Sequence, residues 1–205
     1  MRGYLAPQFD QLLSRYPTIR MIENPLYNEA NNISSVLCAK DHLENAYICE
    51  ADLLVSNPDL IRKYQYTTNY LGVPVKKTDD WCFYCKNGYI THMTVGGTDC
   101  YHMYGISYWT KEDGERLSGH VEEVFRTPGG RERYWDQVAL DYYPEQYRIA
   151  VRPCTFDDIT EIDTYKELCQ IDRADKALYR AKRGGGNRVA VAPSAGLTDS
   201  YAGKE

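Results

Sequence analysis

The sequence has no apolar run approaching the length of a membrane span, and its start, Met1-Arg2-Gly3-Tyr4, lacks signal-peptide character. Both absences direct the chain to the cytoplasm. It also lacks an excess of positive charge: the formal net charge is −5. A general nucleic-acid binder would need a basic face for phosphates, so that class is set aside, whereas a small anionic ligand held by a few local groups is not. The single CxxC, Cys82-Phe83-Tyr84-Cys85, has no second ligand pair at a zinc-like spacing. It also lies in a strand-like run, where alternate side chains face opposite ways. Seven cysteines at irregular spacings lack the even count of a disulfide framework and fit free thiols in a reducing compartment. Internal repeats are absent. What remains is a 205-residue chain, 43% hydrophobic and 26% charged, with the balance of a soluble globular protein. Its length suits one domain with a real core and is too short for two ordinary ones.

The first third alternates helix and strand. Phe9, Leu12, Leu13 and Tyr16 recur at helical spacing until Pro17. Thr18 to Glu23 reads as a short strand. Ile33, Val36, Leu37 and Lys40 mark a second helix capped by Asn31-Asn32. Ala46 to Glu50 is a compact strand running into Ala51-Asp52, and Asn57-Pro58 opens a helix to about Tyr64. This alternation implies a parallel, helix-covered sheet. The middle is strand-like over Tyr70 to Val75, Trp81 to Lys86, Tyr89 to Val95 and Tyr101 to Tyr108, with Asn87-Gly88 as the strongest hairpin signal. Thr110 caps a helix with the apolar face Leu117, Val121, Val124 and Phe125. A further helix carries Tyr134-Trp135-Asp136 and ends before Pro144. Short strands follow at Tyr147 to Arg152 and Ile159 to Ile162, and a long helix starts near Thr164. The expected fold class is α/β, a mixed, mainly parallel sheet with helices on both faces and an antiparallel insertion.

Two aspartates stand where ligands of open α/β sheets gather. Asp52 follows the strand Ala46-Tyr47-Ile48-Cys49-Glu50, and Asp163 follows Asp158-Ile159-Thr160-Glu161-Ile162. Carboxylates at neighbouring strand ends can hold a magnesium ion, which completes its shell with water and phosphate oxygens. By spacing alone they read more readily as loop caps. Nineteen tyrosines and three tryptophans form a heavy aromatic load, and Trp81, Tyr84, Tyr101, Tyr104, Tyr108, Trp109 and Trp135 cluster in the insertion and the helix after it. Most of these suit a β-rich core. Trp81 after Asp79-Asp80, and Trp135 beside Asp136, also pair an aromatic face with an acid, as recognition of a quaternary ammonium requires.

Asn24-Pro25-Leu26-Tyr27 through Asn31-Asn32-Ile33-Ser34-Ser35, then Tyr47-Ile48-Cys49-Glu50-Ala51-Asp52, resembles the bacterial choline-phosphate cytidylyltransferase group of the sugar-nucleotidyltransferase superfamily. Tyr134-Trp135-Asp136 and Glu161-Ile162-Asp163 resemble that group's later motifs, in the same order, so the likeness covers roughly residues 1 to 170. The resemblance implies that Asp52 and Asp163 are catalytic magnesium ligands and that Asn32 and Ser34 lie near the nucleotide. Trp81, Trp135 and Asp136 become acceptor-side residues. The implied reaction is attack of phosphocholine, or a similar phosphate monoester, on the α-phosphorus of CTP, giving CDP-choline and pyrophosphate.

The sequence departs from that pattern twice. A complete enzyme of the superfamily opens with a strand, a glycine-rich loop bearing an arginine, and a proline-lysine pair that cradle the triphosphate. Here Gly3-Tyr4-Leu5 resembles the stretch after the family's third strand, and neither Gly96-Gly97 nor Gly129-Gly130 has a strand-to-helix setting. The expectation is an N-terminally truncated domain over 1–172, with an exposed sheet edge that favours self-association. The second departure is the basic stretch 173–192. Its Ala174-Asp175-Lys176-Ala177-Leu178-Tyr179-Arg180-Ala181-Lys182-Arg183 and Gly186-Asn187-Arg188-Val189 resemble the last helix and strand of a diguanylate cyclase (GGDEF) domain, and residues 193–205 read as a disordered tail. Two other readings therefore stay open: a non-catalytic acceptor-binding module or a fragment needing a partner, and a signalling protein related to diguanylate cyclases.

Overall fold

The structure is a computed structural model and describes residues 1–171. The GGDEF-like stretch and the tail lie outside the described residues. The chain divides into two compact units, Met1–Ala51 with Val55–Ile159, and Asp52–Leu54 with the chain from Thr160 onward.

The first unit is built on a four-stranded mixed sheet in the order β1 (Ala46–Cys49), β4 (Tyr89–Trp109), β3 (Asn69–Lys86), β5 (Ala150–Pro153). β1 and β3 pair with β4 antiparallel, and β5 runs parallel to β3. The hairpin expected at Asn87-Gly88 is present: both residues have positive φ (53° and 80°), the geometry of a type I′ turn, and Lys86 pairs with Tyr89. The four separate strands expected around it are two long ones. Gly96-Gly97 reads as a turn, yet pairing continues through Lys77↔Thr98 and Thr78↔Gly97, and β3 absorbs the irregularity as a bulge between Thr78 and Trp81.

Helices pack on this sheet. α3 (Lys111–Arg126) starts at Thr110, whose Oγ1 accepts from the Asp113 N–H at 3.3 Å, and buries Leu117, Val121, Val124 and Phe125 as its periodicity requires. Each such side chain contributes on the order of 1.5–3 kcal/mol. Gly114 lets the helix close on the chain before β1, because a Cβ there would lie 2.3 Å from the Leu43 carbonyl oxygen. α2 (Ile33–Cys38) adds Ile33 and Val36 to a core shared with Tyr70, Phe83, Trp109, Trp135, Val138 and Ile149.

Two local expectations are corrected and a third is met only in part. Residues 18–23 form no strand, only a single bridge between Arg2 and Glu23. Near the N-terminus, α1 (Gln11–Arg15) follows a 3-10 turn at Ala6–Asp10 and stops before Pro17, but buries none of its residues. The helix expected from Asn57 is a 3-10 turn, Pro58–Leu60. Asn57 does cap it, accepting from the Asp59 N–H at 3.0 Å, but only Leu60 is buried, so nothing rewards a longer helix.

A separate two-stranded sheet pairs β2 (Leu53–Val55) with β6 (Ile159–Glu161), and helical residues 165–171 follow in the second unit. Among the described residues no helix is long and apolar enough to cross a membrane.

Candidate active-site residues

In the second unit the Ile162 N–H donates to the Asp52 carbonyl at 2.9 Å, which sets the loop before β2 beside the end of β6. As a result the carboxylates of Asp52, Glu161 and Asp163 each offer an oxygen within 4.8 Å of the others. Glu161 closes β6 and Asp163 follows two residues later, with a carboxylate oxygen of each inside the cluster. Asp52 and Asp163 are exposed and Glu161 is half-buried.

A capping box holds Asp163. The Thr164 Oγ1 accepts from the Glu167 N–H at 3.2 Å, while the Glu167 carboxylate accepts from the N–H groups of Thr164 (2.9 Å) and Asp163 (3.0 Å). These bonds hold the Glu167 carboxyl below its usual range. The cluster fits a hard divalent cation: its donors are all carboxylate oxygens, and opposite ligands on octahedral magnesium lie about 4.2 Å apart.

The aromatic candidates occupy the first unit. The bulge between Thr78 and Trp81 leaves Trp81 half-buried, with its ring edge-on to Tyr134 at 5.6 Å. Tyr134 is 43% exposed, and Asp80 adjoins the pair, its Oδ1 accepting from the Trp81 N–H at 2.7 Å. An aromatic corner beside a carboxylate results.

Trp135 turns the other way. It is 2% exposed, stacks on Tyr70 (6.0 Å, 17°) and meets Trp109 edge-on at 5.9 Å. Asp136 is buried as well, its Oδ1 accepting from the Tyr70 hydroxyl at 2.7 Å. Burial pushes its pKa up to about 6, against the opposing effect of the Tyr70 bond.

Asn32 and Ser34 use their side chains within the protein. Asn32 Oδ1 accepts from the Trp135 N–H at 2.9 Å. Ser34 Oγ accepts from Asn24 Nδ2 at 2.9 Å and donates to the Asn31 carbonyl at 2.8 Å. The structure thus gathers Asp52 with Asp163, and ties Asn32 to Trp135, but brings neither Trp135 nor Asp136 into the exposed corner.

Two residues escaped the sequence reading of the sites. In the sequence Glu161 stands out only as part of the Glu161-Ile162-Asp163 motif, although its i, i+2 relation to Asp163 is a usable signal. Tyr134 stood beside Trp135, and nothing local says which of two adjacent aromatics faces out.

No family model matches the chain. It is 34% identical over 183 residues to the 2-aminoethylphosphonate cytidylyltransferase of Lancefieldella rimae, covering 87% of this chain and 74% of that protein. Identity to the choline-phosphate cytidylyltransferase of Haemophilus influenzae is 28% over 175 residues, covering 82% and 73%. Among solved structures, the CTP:phosphocholine cytidylyltransferase of Streptococcus pneumoniae superposes with a TM-score of 0.73 at 22% identity, covering 83% of this chain and 74% of that one. The inositol-1-phosphate CTP transferase of T. maritima gives a TM-score of 0.56 at 12% identity, covering 89% and 73%. Both support the mixed α/β fold as one used by nucleotidyltransferases. With a third of its residues identical over 87% of its length, the chain belongs to the cytidylyltransferase family of nucleotidyltransferases.

Proposed function

We propose that the protein transfers a cytidylyl group from CTP to a small phosphate monoester or phosphonate that carries a cationic amine, releasing pyrophosphate, in the cytoplasm. The carrying observation is the three-carboxylate cluster of Asp52, Glu161 and Asp163 in a chain of cytidylyltransferase descent. An oxygen of the acceptor phosphate or phosphonate bonds to the α-phosphorus as the bond from that phosphorus to the β-bridging oxygen breaks, and pyrophosphate carries the electron pair away. The acceptor is already anionic and needs no general base, so the protein's task is positioning and charge management.

Asp52 and Asp163, with Glu161 beside them, are the residues that would hold magnesium. Bound there, magnesium would supply charge neutralisation on the phosphate oxygens. The backbone around Asp163 is pinned by Glu167, which limits the reorganisation needed on binding.

For the acceptor amine, the Trp81 and Tyr134 rings supply two π-faces and Asp80 a carboxylate. A quaternary ammonium such as that of phosphocholine would rely on the rings, whereas a primary ammonium such as that of 2-aminoethylphosphonate would also donate to Asp80. Ser34 acts on the nucleotide side through the backbone it holds, while Asn32, whose side-chain oxygen is spent on the Trp135 N–H, supports the acceptor corner together with Trp135 and Asp136 from within the core.

The test is phosphorus NMR of the purified chain with magnesium and CTP, with phosphocholine and 2-aminoethylphosphonate in parallel. Growth of product and pyrophosphate signals with either acceptor is expected, and the faster one names the substrate. Absence of product with both, beside an acceptor line that broadens on adding protein, would favour the acceptor-binding module without catalysis.

A further inference from the structure

The exposed Tyr134 ring is held against Trp81 by a segment with little regular structure, so something else must fix it. Tyr134, Trp135 and Asp136 precede a π-helical turn at Val138–Tyr142 and follow an irregular stretch. Polar bonds secure the segment from several directions. Upstream, the Asn31 N–H donates to the Arg131 carbonyl at 2.7 Å, and Asn31 Nδ2 donates to the Glu132 carbonyl at 3.2 Å. At its centre, the Trp135 N–H donates to Asn32 Oδ1. Below, the Tyr70 hydroxyl donates to Asp136 Oδ1, and the Tyr70 ring stacks on Trp135. The Tyr134 N–H itself donates to Gln137 Oε1 at 3.1 Å.

Tyr70 belongs to β3, the strand that also carries Trp81, and Asn32 stands at the start of α2. The clamp therefore ties both walls of the aromatic corner to one strand and one helix end. None of Asn32, Tyr70 and Asp136 faces the corner: Tyr70 and Asp136 are 0% and 4% exposed, and the Asn32 side-chain oxygen is taken by a backbone N–H.

We propose that Asn32, Tyr70 and Asp136 are positioning residues that preform the Trp81–Tyr134 corner for the acceptor amine. This rests on the assignment of that corner to the acceptor. Asn32 thereby becomes an acceptor-side residue, which composition and spacing do not suggest. A buried carboxylate paired with a buried phenol is an expensive core element compared with an apolar pair of like shape, and fixing the angle between two exposed rings is a use that an apolar pair would not serve. Displacing an aromatic wall by about an ångström costs roughly 10- to 100-fold in a correctly oriented complex.

The experiment compares wild type with Tyr70→Phe, Asn32→Ala, Asp136→Ala and Asp136→Asn. Binding of phosphocholine and of 2-aminoethylphosphonate is followed by tryptophan fluorescence, and KM for CTP and for acceptor is measured wherever there is turnover. Thermal unfolding of each variant establishes that it is folded.

The expected result is acceptor binding weakened roughly 10- to 100-fold in Tyr70→Phe and Asn32→Ala, with KM for CTP unchanged and unfolding still cooperative. Asp136→Asn, whose amide oxygen still accepts from Tyr70, should lose less than Asp136→Ala. Equal acceptor affinity in wild type and in folded Tyr70→Phe and Asn32→Ala would overturn the positioning role while leaving the proposed function intact. Equal weakening toward CTP and acceptor would also overturn it, because that is the signature of general loosening. A wild-type chain that neither binds nor turns over either acceptor would remove the proposed function and this inference together.

Discussion

Burial holds the Asp136 carboxyl near pH 6 in the folded chain, against an ordinary value of 3.8. Its folded pKa lies above its unfolded one, so between about pH 4 and pH 6 the native state binds more protons than the unfolded state. Stability from this residue therefore falls as pH rises through that window and stays lowered above it. The displacement corresponds to roughly 3 kcal/mol at neutral pH. Asp136→Asn, neutral at every pH, should accordingly be more stable than wild type at pH 7.5 by about 1–3 kcal/mol, with the gain vanishing near pH 4. Urea unfolding at the two pH values checks this, and a gain independent of pH would show that the carboxylate charge is not its source. A residue that lowers stability and is nonetheless buried beside Tyr70 fits a positioning use better than a packing one.

At the scale of elements, short motifs count for more than long periodic ones. The capping box of Thr164 and Glu167 does two jobs, since Glu167 accepts from the Thr164 N–H at the helix start and from the N–H of Asp163. Glu167→Ala should therefore weaken divalent-metal affinity on the order of tenfold without removing a ligand. Isothermal titration with magnesium and manganese measures it, and unchanged affinity would mean that Asp163 is placed without this cap. The bulge between Thr78 and Trp81 works similarly, because it re-aims one aromatic out of an eighteen-residue strand. Such features were partly readable. Thr110, Asn57 and Asn87-Gly88 announce their turns and caps through local chemistry. Whether a helix continues after its cap depends on burial, which explains why α3 ran on while the turn at Pro58–Leu60 stopped.

At the scale of the molecule, the chain spans about three quarters of the length of its curated relatives, with coverage of 74% and 73%. Its sheet ends on one side at β1, which pairs with β4 and, among the described residues, with no other strand. We propose that this edge drives self-association, as unpaired backbone groups on a sheet edge invite a further strand. Sedimentation over a hundredfold range of protein concentration should show assemblies larger than one chain that dissociate on dilution. Cys49→Lys, which places a charge at an exposed position of β1, should return the single-chain mass. A single-chain mass for wild type throughout would dispose of the idea.

By itself the sequence determined what local rules and descent can carry. The apolar face of α3, the hairpin at Asn87-Gly88 and the position of Asp52 after a buried-looking strand follow from periodicity, turn chemistry and strand-end placement. The ordered motifs point to the family because they preserve residue types across roughly residues 1 to 170. Only tertiary structure decided that Glu161 joins Asp52 and Asp163, because one of the three lies about a hundred residues from the others and a single backbone bond brings them together. Only tertiary structure decided that Tyr134 faces out while Trp135 and Asp136 face in. Adjacent side chains on an irregular segment have no periodicity to sort them, and the bonds from Asn32 and Tyr70 that do so come from elements 103 and 66 residues away.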